Sequence, residues 1–322
     1  MASIRGRSSV AFLIGSCLAG LLSAPALAAA QPRYSDIVVF GTSLSDSGNA
    51  FVLLGDQATP PDFGLSPLLV PSAPYARGGH HLTNGPTWIE QFARSSGLAH
   101  SALPALRSAD PGANNFAVGA ARAYDDGVNY NLTLQVDAYL LRSGGSASAQ
   151  TLYVIEMGTN DIRDAIAIYA AGGNGAPILS QAVASIAANI QRLYTAGARE
   201  FLVCLSPNAA LSPAVRALGP AAGVLATQVT LAFNSALAQT VALLRLTLPG
   251  TTFATLDAYT LLNAVVAAPA SFGLTNVVAP CLTPNLPPFK CSRPDEYLFW
   301  DGIHPTRAGH GILAREAANV LQ

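Results

Sequence analysis

The sequence predicts an α/β fold, a three-layer α/β/α sandwich around a five-stranded parallel sheet. Short apolar runs rich in β-branched residues alternate with longer segments in which apolar residues recur at helical spacing. Continuous apolar runs are typical of strands that a parallel sheet buries on both faces. Small and polar residues follow several of these runs, at the sheet edge where open α/β folds bind ligands. No Gly/Ser-rich or charged run divides the chain after its leader, so we expect one domain over residues 31–322.

The first 30 residues are typical of a secretory signal peptide. Arg5 and Arg7 precede the apolar run Val10–Leu22, and small-residue sequences end at Ala28 and Ala30. A membrane-spanning helix needs about 20 apolar residues, and this run is shorter. We therefore predict cleavage near Ala28 or Ala30 and a secreted or periplasmic protein.

The charge balance argues against a nucleic-acid partner. The sequence has 17 basic and 18 acidic residues, and two of the basic ones lie in the leader. No basic patch remains in the mature chain. The apolar-rich stretch 221–248 is interrupted by polar side chains. We therefore expect no membrane-spanning segment after the leader and a protein that is soluble after export.

The first predicted strand, Ile37–Phe40, leads into a candidate nucleophile. The apolar run stops at Gly41, so a turn must follow, and Ser43 lies just past the carboxyl end of the strand. A serine at a turn between a strand and a helix can also be an N-cap. This segment alone does not decide between the two roles.

A proline-rich stretch precedes the next predicted helix. Asn84-Gly85-Pro86 marks the start of this helix, and an apolar face that begins with Trp88 should pack on the sheet. His80 and His81 precede the helix in a loop. We expect both imidazoles at the surface rather than as ligands.

Two further strands end in small or polar residues. The second strand is predicted over Asn114–Ala121 and ends at Gly119, where a backbone N–H could approach a substrate without a side chain in the way. The third, Thr151–Glu156, places Asn160 just beyond its carboxyl end. Because the strands are expected to be parallel, Ser43, Gly119 and Asn160 should fall on one edge of the sheet.

The remaining chain continues the alternation of helices and strands. Apolar spacing and Gly or Pro punctuation set the boundaries. Helices are predicted near 134–141, over 181–194 and 221–246 and at the C-terminus, and strands over 201–205 and 252–256.

Three cysteines follow the leader. Cys281 and Cys291 bracket a proline-rich loop, and in an exported protein we expect them to form a disulfide. Cys204 lies in an apolar run and is expected to be a buried free thiol. The sequence contains no Cys-x-x-Cys or His-x-x-x-His spacing, so we expect no metal site.

A serine nucleophile needs a base, and the base needs a partner that holds its tautomer. Asp301 and His304, separated by Gly302 and Ile303, could bring a carboxylate to one ring nitrogen while the other nitrogen faces Ser43. By itself, this stretch would also suit a capping or core histidine. The nearest competitor, His310, lacks an adjacent carboxylate.

Together these segments resemble the GDSL esterases and lipases of the SGNH hydrolase superfamily. Four blocks match in order over about 260 residues: Gly41–Asn49 with Ser43 as nucleophile, Gly119, Gly158–Asp161 and Asp301–His304. The segments 83–90 and 205–208 also resemble the branch that includes secreted bacterial phospholipases, haemolysin-like lipases and choline esterases.

The resemblance implies a serine ester hydrolase that works through an acyl-enzyme and needs no cofactor. It implies a triad of Ser43, Asp301 and His304. It also implies three oxyanion-hole donors, the backbone N–H groups of Ser43 and Gly119 and the side-chain amide of Asn160. One departure from the family pattern is Thr42, which stands where the family name has aspartate. This difference affects the hydrogen bonding of the nucleophile turn and not the triad.

We expect the substrate to be a small-molecule or lipid ester, with lipid and lysophospholipid esters as leading candidates. The segments Gln57–Gly79 and Asn263–Asp295 are interpreted as apolar loops beside the crevice, and a lipid substrate would bring transient contact with a membrane surface. A choline pocket is the close alternative, because Tyr124, Tyr130 or Trp300 could contact a quaternary ammonium.

Two other functions remain open. An acyltransferase would use the same acyl-serine and differ only in the acceptor. A catalytically silent binding protein with this fold is expected to lack a triad or oxyanion residue, and none is missing here.

Overall fold

A parallel sheet with helices on both faces forms the centre of the protein. The computed structural model describes residues 1–2, 33–64, 70–77, 79–107 and 109–322. The predicted α/β fold is confirmed within these residues. The leader lies outside them apart from its first two residues, and the signal peptide stays a prediction.

The main sheet has four parallel strands in the order β1-β2-β3-β4. In the register of the first pair, Gly41 lies beside Glu156, so both strands end at the same edge. The strands are β1 (Asp36–Gly41), β2 (Thr151–Glu156), β3 (Glu200–Leu205) and β4 (Thr252–Asp257).

The prediction of a fifth strand over 114–121 is wrong. This segment runs beside β1, where Val118 N–H donates to the Gly41 carbonyl, but only the single parallel bridge between Val39 and Asn115 forms with β1. The next ladder bond would need the Gly41 N–H, which donates instead to Gln135 Oε1 at 2.9 Å. A side-chain amide therefore replaces the backbone partner that would have extended the strand.

The two faces of the sheet carry separate apolar clusters. In β1, Val38 and Phe40 face one cluster, and Ile37 and Val39 face the other, as expected for a strand buried on both sides. The first cluster includes side chains of α3 (Leu132–Arg142), α4 (Thr159–Ala170), α5 (Ala176–Ala196) and α7 (Pro220–Thr247). The second includes side chains of α2 (Trp88–Ser95) and α9 (Arg307–Val320).

Helix α2 begins later than predicted. Thr87 is its N-cap, and Glu90 completes a capping box, so the first helical residue is Trp88 rather than Pro86. The capping carboxylate also binds His81, whose Nε2 lies 3.1 Å from Glu90 Oε1. His81 is buried, and its expected surface position is wrong because the carboxylate satisfies the ring.

Helix α7 is long and apolar enough, by length and composition, to cross a membrane. It is the only such helix within the described ranges. Its buried side carries apolar residues at helical spacing, and these belong to the first apolar cluster: Val229, Phe233, Leu237 and Val241. That side of α7 therefore packs as a core helix.

Shorter elements complete the fold around the sheet edge. They are α1 (Asn49–Leu54), α6 (Pro213–Ala217), α8 (Ala258–Ala267), β5 (Asn276–Pro280) and β6 (Tyr297–Phe299). Strands β5 and β6 pair in parallel. The segment Asn263–Asp295 is thus only partly a loop, since it includes the end of α8 and all of β5.

The expected disulfide and the expected free thiol are both present. Cys281 and Cys291 form a disulfide, and Cys204 is a buried free thiol on β3. Burial raises the pKa of the Cys204 thiol well above its usual range. Cys281 N–H and Leu282 N–H donate to carbonyls of Phe299 and Trp300, so the bridged segment is joined to the chain just before Asp301.

Candidate active site

Ser43 lies in the turn between β1 and α1 and is half-buried. The N–H groups of Ser45 and Asp46 both donate to the Thr42 carbonyl, which closes the turn around Ser43. The Asp46 carboxylate accepts three N–H groups at the start of α1. Burial raises the pKa of Asp46, and these hydrogen bonds oppose the shift. The turn is therefore fixed in part by its own backbone and by the buried carboxylate of Asp46.

The three predicted triad side chains lie within hydrogen-bond distance of one another. His304 Nε2 is 2.9 Å from Ser43 Oγ, and His304 Nδ1 is 2.6 Å from Asp301 Oδ2. Asp301 is fully buried, and His304 is 2% exposed. Because a buried carboxylate accepts at Nδ1, that nitrogen carries the proton and Nε2 is left as the acceptor for the serine hydroxyl.

Asp301 has two further kinds of partner that orient it. Its Oδ1 accepts the N–H groups of Ile303 and His304, and its Oδ2 accepts the Tyr75 hydroxyl at 2.7 Å. Burial and the adjacent Asp301 carboxylate raise the pKa of Tyr75 far above its usual range, so Tyr75 remains a neutral donor. The sequence contained no motif or periodicity that pointed to Tyr75.

The loop that carries Asp301 and His304 is held from two sides. Trp300 N–H donates to the His304 carbonyl, which closes the loop on itself. Ala214 N–H, from α6, donates to the Gly302 carbonyl. The positions of Asp301 and His304 are therefore set by backbone contacts as well as by their own side chains.

Two of the three expected oxyanion donors are available. The Ser43 N–H has no acceptor among the described residues. Asn160, in the first turn of α4, uses one amide hydrogen on the Ala121 carbonyl at 2.8 Å, and its side chain lines the same cavity as Ser43 and His304. Its second amide hydrogen has no described acceptor.

The backbone N–H of Gly119, expected to be an oxyanion-hole donor, already has an acceptor. Its N–H donates to Asp46 Oδ2 at 2.8 Å. A Cβ at this position would lie 2.5 Å from Leu82 Cδ1, so close packing also requires glycine there. The next N–H, that of Ala120, has no acceptor within the described residues, and Ala120 is exposed with a φ of 64°. The free backbone donor of this loop is thus one residue further on.

The Gly119–Tyr124 loop is attached to the start of α4. The Asp161 carboxylate accepts the N–H groups of Ala123 and Tyr124, and burial raises the pKa of Asp161 to about 6. Arg122 donates to Asp164 at 2.8 Å. These contacts fix the loop relative to Asn160.

A cavity of about 280 Å³ opens beside Ser43 and His304. Most of its other walls are apolar and come from α4, α6, α8 and α9. The larger apolar side chains include Leu44, Met157, Ile166, Leu205, Val215, Leu261, Leu262, Val265, Phe299, Ile303, Ile312 and Leu313. Two hydroxyls in the lining, Thr159 Oγ1 and Ser206 Oγ, are buried without a described partner.

The described residues contain no group of three or more His, Cys, Asp or Glu side chains arranged to hold a metal ion. The site is composed of a serine, an imidazole, carboxylates and amide donors. This set of groups is suited to nucleophilic attack on an acyl group.

Several known proteins have sequences similar to this one. The family model for GDSL-like lipases and acylhydrolases matches residues 37–317. A GDSL esterase/lipase of Arabidopsis thaliana is 24% identical over 88% of this chain and 90% of its own length. Esterase EstA of Pseudomonas aeruginosa is 31% identical over 96% of this chain, which spans 50% of that protein. The thermolabile hemolysin of Vibrio parahaemolyticus is 26% identical over 91% of this chain and 66% of its own length.

Among solved structures, an acetylxylan esterase of Geobacillus stearothermophilus aligns with 90% of this chain and 96% of its own. The TM-score is 0.45, and the sequences are 12% identical.

Proposed function

Because the chain belongs to the GDSL-like lipase/acylhydrolase family and is a carboxylic ester hydrolase, we propose that it cleaves esters of apolar acyl chains through an acyl-serine on Ser43. The observation that carries this proposal is the apolar cavity that Ser43, Asn160 and His304 line together. An ester carbonyl at Ser43 would place one of its substituents in that cavity.

In the acylation step, Ser43 Oγ attacks the ester carbonyl while its proton passes to His304 Nε2. Asp301, which Tyr75 orients, holds the ring and stabilises the imidazolium that forms. The negative charge on the carbonyl oxygen develops next to the Ser43 N–H and the Asn160 amide. The Ala120 N–H is the third donor that we propose, since Gly119 is bound to Asp46. His304 then protonates the leaving alcohol, and the carbonyl re-forms as the acyl-serine.

In the deacylation step, a water molecule donates its proton to His304 Nε2 and attacks the acyl carbon. The second tetrahedral intermediate uses the same donors, and its collapse returns the proton to Ser43 Oγ. The carboxylic acid is released. An alcohol in place of water would give a transferase, and measuring product partition with added alcohol would separate the two reactions.

The lining of the cavity favours an acyl chain over a quaternary ammonium. Tyr124, Tyr130 and Trp300 are not among the cavity-lining residues. Trp300 packs on Tyr75, and the Tyr124 hydroxyl donates to Asp164. The proposed aromatic cage for choline is therefore not supported by these three side chains.

Chain-length preference tests this proposal. We expect kcat/KM for p-nitrophenyl esters to rise from C2 to medium chains by up to about fourfold per buried methylene, the equivalent of about 0.8 kcal/mol. Ala167→Trp, on the α4 wall of the cavity, should move the optimum to shorter chains. Ala184→Trp, at an exposed position of α5 outside the cavity, should leave it unchanged. Activity that only declines beyond C2 or C3 would contradict the acyl-chain proposal.

Asn160→Ala is expected to lower kcat by about 10²- to 10³-fold, because the variant loses one oxyanion donor. KM should change much less, since the ground-state ester makes a weaker contact. Steady-state kinetics on one p-nitrophenyl ester would measure both. The control is Asn189→Ala, which removes a buried amide of α5 bound to Ser185 and Thr133. A change in KM alone for Asn160→Ala would make it a substrate-binding residue instead.

We also propose that the protein works outside the cytoplasm, in the periplasm or the medium. The Cys281–Cys291 disulfide supports this location, because disulfides persist in oxidising compartments. The predicted leader points the same way.

A further inference from the structure

Glu156 reaches from the end of β2 to the nucleophile turn. Glu156 pairs with Gly41 in the sheet register, so its side chain starts directly beside the turn. The carboxylate accepts the Thr42 N–H at 3.0 Å and lies 3.0 and 3.1 Å from the Thr42 hydroxyl. It also accepts the Ser45 hydroxyl at 3.0 Å. One carboxylate therefore holds the residue before Ser43 and the second residue after it.

A neighbouring donor sets the direction of the hydrogen bond between Ser45 and Glu156. Trp88 Nε1–H donates to Ser45 Oγ at 2.9 Å, so the Ser45 hydroxyl hydrogen is free to point to Glu156. The Thr42 N–H can only donate. The contacts on Glu156 therefore suit an ionised carboxylate, which accepts at both oxygens.

Burying a carboxylate this deeply costs desolvation free energy. Glu156 is 5% exposed, and no ion pair with it occurs among the described residues. Burial raises the pKa of Glu156 to about 7, against the opposing effect of its hydrogen bonds. An apolar residue of similar size would fill the space without this desolvation cost. A carboxyl group retained at this depth, in contact with both sides of the nucleophile turn, thus points to a role in the site.

We propose that Glu156 is a positioning residue that fixes the nucleophile turn and supplies, from β2, the carboxylate that the family name has at position 42. It acts through Thr42 and Ser45 and does not touch the reacting atoms. Its role is to keep Ser43 Oγ aligned with His304 and the Ser43 N–H aimed at the developing oxyanion. The inference rests on Ser43 being the nucleophile.

Glu156→Gln tests the proposal with a side chain of the same shape. The new amide brings hydrogens to a point where three donors already converge, so the turn must shift. We expect kcat to fall by roughly 10- to 100-fold, the loss of one or two hydrogen bonds to a charged group, with KM within about threefold. The rate at which a fluorophosphonate labels Ser43 should fall in parallel. Tm should stay within a few degrees, because the alignment and not the fold is affected.

Glu90→Gln is the matched control. Glu90 accepts the N–H and the hydroxyl of Thr87, as Glu156 does for Thr42, but its contacts are at the start of α2 and with His81. If such a glutamate–threonine pair only stabilised the fold, losing it would lower Tm without changing kcat per labelled site. We expect this result for Glu90→Gln. The same result for Glu156→Gln would overturn the proposal.

Thr42 variants keep the proposal testable if Glu156→Gln does not fold. Thr42→Val removes the hydroxyl donor and should slow labelling and turnover, whereas Thr42→Ser keeps the hydroxyl and should restore both. The effects of Thr42→Val and Glu156→Gln should be less than additive, since both act on one set of hydrogen bonds. An unchanged labelling rate in folded Thr42→Val would overturn the proposal. Failure of the proposed nucleophile is distinguishable, because the unmodified protein would then not be labelled at Ser43.

Discussion

Ser43→Ala is expected to lower kcat for ester hydrolysis by about 10⁴- to 10⁶-fold, because no other hydroxyl is held next to His304 Nε2 in the described site. Substrate binding should persist, since the cavity walls are unchanged. Single-turnover and steady-state kinetics on a p-nitrophenyl ester would measure the loss, and the variant should no longer react with a fluorophosphonate.

The control for Ser43→Ala lies in the same turn. Ser47 is also buried, but its hydroxyl accepts from Asn115 and has no contact with His304. Ser47→Ala should therefore retain turnover of the unmodified protein. The double variant Ser43→Ala/His304→Ala should be little worse than either single variant, because the members of a triad act as a unit. Near-normal activity of Ser43→Ala would refute the nucleophile assignment.

Asp301→Asn is expected to lower kcat by about 10³- to 10⁴-fold with little change in KM. The asparagine can present an N–H to His304 Nδ1, which favours the tautomer with the proton on Nε2. That nitrogen would then be unable to accept the Ser43 proton. The pair is buried, so water cannot replace the missing carboxylate.

Tyr75→Phe gives a graded comparison for Asp301→Asn. It removes one hydrogen bond to Asp301 Oδ2 and leaves the carboxylate in place. We expect a loss of about tenfold in kcat, which corresponds to one hydrogen bond to a charged group. If Asp301→Asn were no worse than Tyr75→Phe, the carboxylate would not be setting the tautomer of His304.

Local patterns were sufficient for the strands and for the residues at their ends. Continuous apolar runs identified β1, β2 and β3, because burial on both faces leaves no alternation to misread. Strand β4 is only partly buried, and the Pro249-Gly250 turn before it indicated its position. Ser43 and Asn160 could be proposed as site residues because each lies a few residues beyond such a run. Asp301 and His304 are close in sequence, so their pairing was visible without a fold.

The features that sequence analysis missed depend on side chains from distant segments. The fifth strand is interrupted by Gln135, which is 94 residues from Gly41. Tyr75 approaches Asp301 from 226 residues away, out of a proline-rich stretch with no periodicity. Glu156 looked like the last residue of a strand, and nothing local indicated that it would bind Thr42. Gly119 was assigned the role of donor because a pattern cannot show that Asp46 occupies its N–H.

The separation of Ser43 and His304 along the chain has a consequence for biosynthesis. The two residues are 261 positions apart, one in the turn after β1 and the other in the loop before α9. A chain grows from its N-terminus, so the serine is made long before its base exists. A chain that has not yet been synthesised as far as His304 therefore has no imidazole to activate the Ser43 hydroxyl.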